Sequence, residues 1–156
     1  MLFTHRSLEQ LISKMHEKGL RVTPQREAIL DYLMNTDKHP SARTIYETVR
    51  RRVPRICLST VYNTLAELNK HNIIKQLEFG EMENRYEGNI SQHINLICVR
   101  CRRILDYPTA FTVDMEQIRQ ATQFRPIQSR FELYGVCAAC GKKKNLPPGL
   151  EPFQRR

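Results

Sequence analysis

LSTVYNTLAELNKHNIIKQLEF, residues 58–79, passes from helical to strand patterning with a single stop between, and that passage decides the first half of the fold. Ser59 is placed to cap a helix in which Val61, Leu65 and Leu68 recur at i, i+4 and i+7 and form one apolar stripe. Asn72 supplies the stop, because its short polar side chain tolerates left-handed backbone. At about 100° per residue, Asn63 and Lys70 face away from the stripe and Tyr62 lies at its flank. Beyond Asn72, IIKQLEF (73–79) and NRYEG (84–88) read as two strands around a turn containing Gly80. A helix with a free polar face followed by a hairpin is the pattern of a recognition helix and its wing.

Towards the N-terminus the pattern is helical throughout. Ser7-x-x-Gln10 forms a capping box for a helix with apolar Leu8, Leu11, Ile12 and Met15, stopped at Gly19. Thr23 caps a second, with Pro24 in its first position and Ile29, Leu30, Leu33 and Met34 on one face. Ser41 caps a third carrying Ala42, Ile45 and Val49, and Pro54 lies just past its end. The chain holds 25 Lys and Arg against 16 Asp and Glu, a net charge of +9. Arg43, Arg50, Arg51, Arg52 and Arg55 face only Glu47 within residues 43–55, so the charge is clustered where a polyanion would lie. Against DNA, these cations would neutralise phosphates, Asn63 would read an adenine edge with both amide atoms, and the Tyr62 ring would meet a thymine methyl. The bland alternatives are a solvated arginine face and a Tyr62 that only packs. No apolar run approaches the ~18–20 residues of a membrane span, and MLFTHRSLEQ (1–10) lacks a signal-peptide core, so a cytosolic protein is expected.

The second half changes character. CVRC (98–101) and CAAC (137–140) place Cys98, Cys101, Cys137 and Cys140 in two knuckles of the kind that close tetrahedrally on one Zn²⁺. Two disulfides or unrelated core cysteines are the alternative, but duplicated two-residue spacings in a chain without a secretory signal favour zinc. Gly141 can take a left-handed turn after its knuckle freely, whereas Arg102 would do so at about 1–2 kcal/mol. HINLIC (93–98) alternates, putting His93 and Asn95 on one strand face; ILDY (104–107) resumes a strand. Thr112–Thr122 reads as a helix with Val113, Ile118 and Ala121 for packing, and RFELYGVC (130–137) as a returning strand. LPPGLEPFQRR (146–156) is expected to be disordered. The fold class is therefore α+β: a winged helix-turn-helix domain over residues 1–88, an α/β domain with a four-cysteine zinc site over 89–145, and a tail over 146–156. Cys57 has no partner pair and reads as a small residue packed before the recognition helix; His5, His16 and His71 lack ligand spacing.

RVTPQREAIL (21–30), HPSARTIY (39–46) and LSTVYNTL (58–65), in that order and followed by the paired cysteines, resemble the ferric uptake regulator (Fur) superfamily over residues 7–141. The resemblance implies a homodimeric, metal-activated repressor that binds palindromic operators in double-stranded DNA, with no enzymatic activity. It implies DNA contacts from Arg21, Ser59, Thr60, Tyr62 and Asn63. It also implies a second, regulatory metal site for Fe²⁺ or Mn²⁺ made by His39, Glu87, His93, Asn95 and Asp106. Asn95 departs from the pattern, since many members carry a second histidine there, but an amide oxygen is a legitimate hard ligand. Asp106 resembles the peroxide-sensing, PerR-like branch, in which peroxide reduced at bound Fe²⁺ would oxidise a ligand histidine; Glu87 points to the alternative, an iron or zinc uptake regulator that responds to metal alone. A zinc nucleobase deaminase is disfavoured, because Ile97 and Val136 stand where that chemistry needs proline before the cysteine pair.

Overall fold

The computed structural model describes residues 7–78, 83–108, 113–127 and 129–142; Gly80, Thr112 and the tail expected over 146–156 lie outside them. The chain divides into two compact units, Met1–Ser91 and Gln92–Arg156.

In the first unit, α1 (Leu8–Glu17) opens with the Ser7/Gln10 capping box, and Gly19 takes a φ of 69° just beyond its end. α2 (Pro24–Met34) starts at Pro24 with Thr23 Oγ1 accepting from Arg26 N, and α3 (Ala42–Val49) with Ser41 Oγ accepting from Thr44 N. α4 spans Leu58–Lys70 and ends before Asn72, whose φ is 53°. Its beginning corrects one expectation: Cys57, not Ser59, is the N-cap, and Ser59 lies inside the first turn. Burial of Ile56 and Val61 sets the phase of the helix, and the Val61 N–H closes the first turn on the Cys57 carbonyl, which draws Leu58 and Ser59 into helical geometry. The wing is β1 (Lys75–Leu77) antiparallel to β2 (Arg85–Glu87), with Lys75 opposite Glu87. A bridge between Ser41 and Arg85, with Tyr86 N donating to Pro40 O at 3.0 Å, ties β2 to the segment leading into α3. Leu11, Met15, Ile29, Leu30, Ile45, Val61, Leu65, Leu68, Ile73 and Ile74 are at most 1% exposed. Each such burial contributes about 1.5–3 kcal/mol, so this unit carries its own core.

The second unit is a three-stranded sheet in the order β4–β3–β5: β3 (His93–Cys98), antiparallel to β4 (Ile104–Pro108) and parallel to β5 (Glu132–Gly135). β5 is shorter than the strand expected over 130–137. α5 runs from Met115 to Thr122, later than the expected start, because the Asp114 carboxylate accepts from Glu116 N and Gln117 N and makes the stronger cap. Val113 precedes the helix, and of the residues expected to pack, Ile118 is partly buried and Ala121 exposed, so the packing is only partial among the described residues. α6 (Ala138–Gly141) closes the second knuckle as a helical turn; Gly141 is in that turn and does not take the left-handed conformation expected of it. No helix among the described residues is long and apolar enough to cross a membrane.

Candidate functional site

The sheet pleat sorts the second unit into two faces. His93, Asn95 and Ile97 of β3 share one with Ile104 and Asp106 of β4; Leu96, Leu105 and Leu133 line up across the other. Asn95 lies opposite Asp106 in the ladder, and His93 Nε2 is 3.9 Å from Asp106 Oδ1. His93 and Asn95 are buried, and Asn95 Oδ1 has no hydrogen-bond partner among the described residues. A buried amide oxygen left in that state is expensive, at about 1–3 kcal/mol, unless a cation or water meets it. The fit of this face to a hard metal ion rests on that oxygen and its two neighbours.

In the first unit, Pro40 and β2 bring His39 and Glu87 together. His39 Nε2 lies 2.9 Å from Glu87 Oε2, and both residues are buried, at 8% and 5% exposure. Lys75, across the hairpin, places Nζ 3.6 Å from Glu87 Oε1 and donates to Ser91 O at 3.1 Å. Sequence reasoning missed Lys75, whose position opposite Glu87 depends on the hairpin register. An imidazole and a carboxylate held together away from solvent are suitable donors for Fe²⁺ or Mn²⁺.

Cys98, Cys101, Cys137 and Cys140 converge, with every pair of sulfurs within 4.8 Å. Zn–S bonds of about 2.3 Å put tetrahedral sulfurs about 3.8 Å apart, so the cluster fits the ion with little adjustment. Cys101 Sγ and Cys137 Sγ are already 3.6 Å apart. The first knuckle is shaped by Arg102, at a φ of 61°, with Arg102 N donating to Cys98 O and Cys98 N to Arg103 O, both at 2.9 Å. In the second, Cys140 N and Gly141 N both donate to Cys137 O. Burial resists ionisation of Cys98, but the backbone N–H groups of Cys101, Cys137 and Arg100 outweigh it and draw the thiol down to about 6. The backbone N–H of Cys140 likewise lowers Cys137. Its hydrogen bond with Cys101, then burial, pushes Cys140 up to about 12. Four thiolates so close therefore need a cation among them.

The polar face of α4 is open. Ser59, Tyr62 and Asn63 are exposed, Tyr62 by 46%, Thr60 is half-buried, and Arg21 is exposed ahead of α2. Cys57 is exposed too, not packed as expected, with Sγ 3.1 Å from Ser59 Oγ and 3.0 Å from Thr60 Oγ1. The arginine cluster is unequal. Arg52 pairs with Asp31, Arg43 approaches Glu83 at 4.0 Å, and the Arg50 guanidinium lies 5.4 Å from the Tyr46 ring centroid. Among the described residues, no ion pair engages the exposed Arg51 or Arg55.

A sequence profile of the Ferric uptake regulator family matches residues 17–134. The peroxide operon regulator of Bacillus subtilis (strain 168) is 36% identical over 139 residues, 88% of this chain and 96% of that protein. The peroxide-responsive repressor PerR of Staphylococcus epidermidis is 35% identical over 139 residues, 88% of this chain and 93% of its own. Among solved structures, the ferric uptake regulator from Francisella tularensis with iron superposes with a TM-score of 0.60 at 26% identity, over 79% of this chain and 96% of that one.

Proposed function

The chain belongs to the Ferric uptake regulator family, and from that premise we propose how its residues divide the work of a metal-dependent, DNA-binding transcriptional repressor that senses peroxide. Members of this family are transcriptional regulators, not enzymes, and act as dimers on DNA. The first unit binds DNA. α4 enters the major groove with Asn63 and Tyr62 towards base edges, while Arg21, Ser59 and Thr60 meet the backbone. The second unit holds structural Zn²⁺ on Cys98, Cys101, Cys137 and Cys140 and joins two copies. A two-fold dimer matches a palindromic operator, and a cytoplasmic setting keeps the thiols reduced.

The regulatory ion, Fe²⁺ or Mn²⁺, takes His39 and Glu87 from the first unit and His93, Asn95 and Asp106 from the second. Fe²⁺, unlike Mn²⁺, readily reduces peroxide to an oxidant that attacks a nearby imidazole. His39 and His93 are the imidazoles available; Asn95 offers none. The observation that carries this reading is the buried, unbonded Asn95 Oδ1 opposite Asp106.

Protein loaded with Fe²⁺ is expected to leave operator DNA on peroxide exposure and to gain one oxygen atom on His39 or His93 by peptide mass spectrometry, while Mn²⁺-loaded protein does neither. Glu87 favours a second reading, an iron or zinc uptake regulator, since the peroxide branch commonly has aspartate there. Retention of DNA and unmodified histidines after peroxide would select it.

A further inference from the structure

We propose that the Lys75 ammonium, placed beside the Glu87 carboxylate, holds down the affinity of the regulatory site for divalent cations. The inference rests on the reading above that Glu87 is a ligand. The hairpin register sets Lys75 directly opposite Glu87, and the two oxygens of that carboxylate have different neighbours. Oε2 is 2.9 Å from His39 Nε2, whereas Oε1 is 3.6 Å from Lys75 Nζ. Lys75 is anchored at a second point by its 3.1 Å hydrogen bond to Ser91 O, so its ammonium is not a freely swinging surface charge. The side chains are 25% and 4% exposed, and a pair this sheltered is weakly screened by salt.

Two consequences follow from that placement. An ammonium carries three donors and no lone pair, so Lys75 is a positioning residue and cannot itself ligate. The same ammonium compensates the buried carboxylate when no ion is bound and repels a divalent cation when one arrives. That repulsion lowers the affinity of the site.

The test is Mn²⁺ binding to the zinc-loaded full chain by isothermal titration calorimetry, with the Mn²⁺ electron paramagnetic resonance spectrum as a second readout. Lys75→Met and Lys75→Gln are expected to bind Mn²⁺ more tightly, on the order of tenfold, with an altered spectrum; Lys75→Arg is expected to match wild type. Lys75→Gln keeps a donor for Ser91 O, so it carries the test if Lys75→Met does not fold. Unchanged or weaker binding in Lys75→Gln overturns the proposal. Failure of the underlying reading looks different: in that case Glu87→Gln binds Mn²⁺ as wild type does.

Discussion

The Cys57 thiol sits between two hydroxyls. Hydrogen bonds from Ser59, then Thr60, then the backbone N–H of Thr60 stabilise its thiolate and bring the group from 9.0 to about 7. Because the shift is downward, the reactive form accumulates from below neutrality instead of near pH 9. Iodoacetamide labelling of the zinc-loaded protein is expected to rise through pH 7 at Cys57, and Ser59→Ala to move that rise upward, as read by peptide mass spectrometry. The arginines differ in the same local way. Arg51 and Arg55 are available to phosphates, whereas Arg52 is committed to Asp31. Replacing Arg51 or Arg55 by alanine is expected to reduce the slope of log affinity against log salt by about 0.9 each and to weaken all sequences alike. Arg52→Ala should leave the slope nearly unchanged. Asn63→Ala should instead lose about 1–3 kcal/mol of discrimination between operator and random duplex.

At the scale of elements, short-range chemistry accounts for most of what could be foreseen. Ser7, Thr23 and Ser41 cap the helices they were expected to cap, because a side-chain oxygen three residues ahead of an orphan N–H is a local arrangement. Thr23→Ala is accordingly expected to destabilise the protein by about 1 kcal/mol in chemical denaturation. The misplaced features depend on contacts that compete with the preferences read from residue type. α4 begins at Leu58 because the core fixes Ile56 and Val61, a constraint invisible in the preference for serine at a cap. Gly141 lies in a helical turn because its N–H and that of Cys140 both seek Cys137 O. The four cysteines and the ligand candidates could be picked out by type and spacing. Lys75 could not, since its partner is set by register across a turn. Gly88 is a further example: a Cβ there would lie 3.0 Å from Leu33 O and from Met34 Sδ. Gly88→Ala should therefore loosen the packing of β2 against α2 and lower the thermal midpoint.

For the whole molecule, the two units differ in what holds them. The first has a contiguous apolar core. The second leaves Leu105 48% and Leu133 58% exposed on the face opposite His93 and Asn95, and gathers the cysteine cluster where the ends of β3 and β5 meet. Zinc binding in such sites is worth about 10–16 kcal/mol and is coupled to folding. Chelation of Zn²⁺, or Cys98→Ser, is expected to accelerate amide hydrogen exchange across β3, β4 and β5 while α2 and α4 stay protected. The exposed leucine row suits apolar contact with a second copy, and Leu133→Asp is expected to shift the protein from dimer to monomer in analytical ultracentrifugation.

The bridge between Ser41 and Arg85 has a genetic consequence. β2 carries a wing residue, Arg85, two positions from Glu87, and the same strand is tied to the segment holding His39. The wing and two of the proposed ligands, His39 and Glu87, thus share connected segments of the first unit. A selection for mutants that have lost repression should return lesions in the wing alongside lesions in the ligands, and the two classes should be indistinguishable by reporter expression alone. Suppressors of a Glu87 lesion should likewise map to the hairpin.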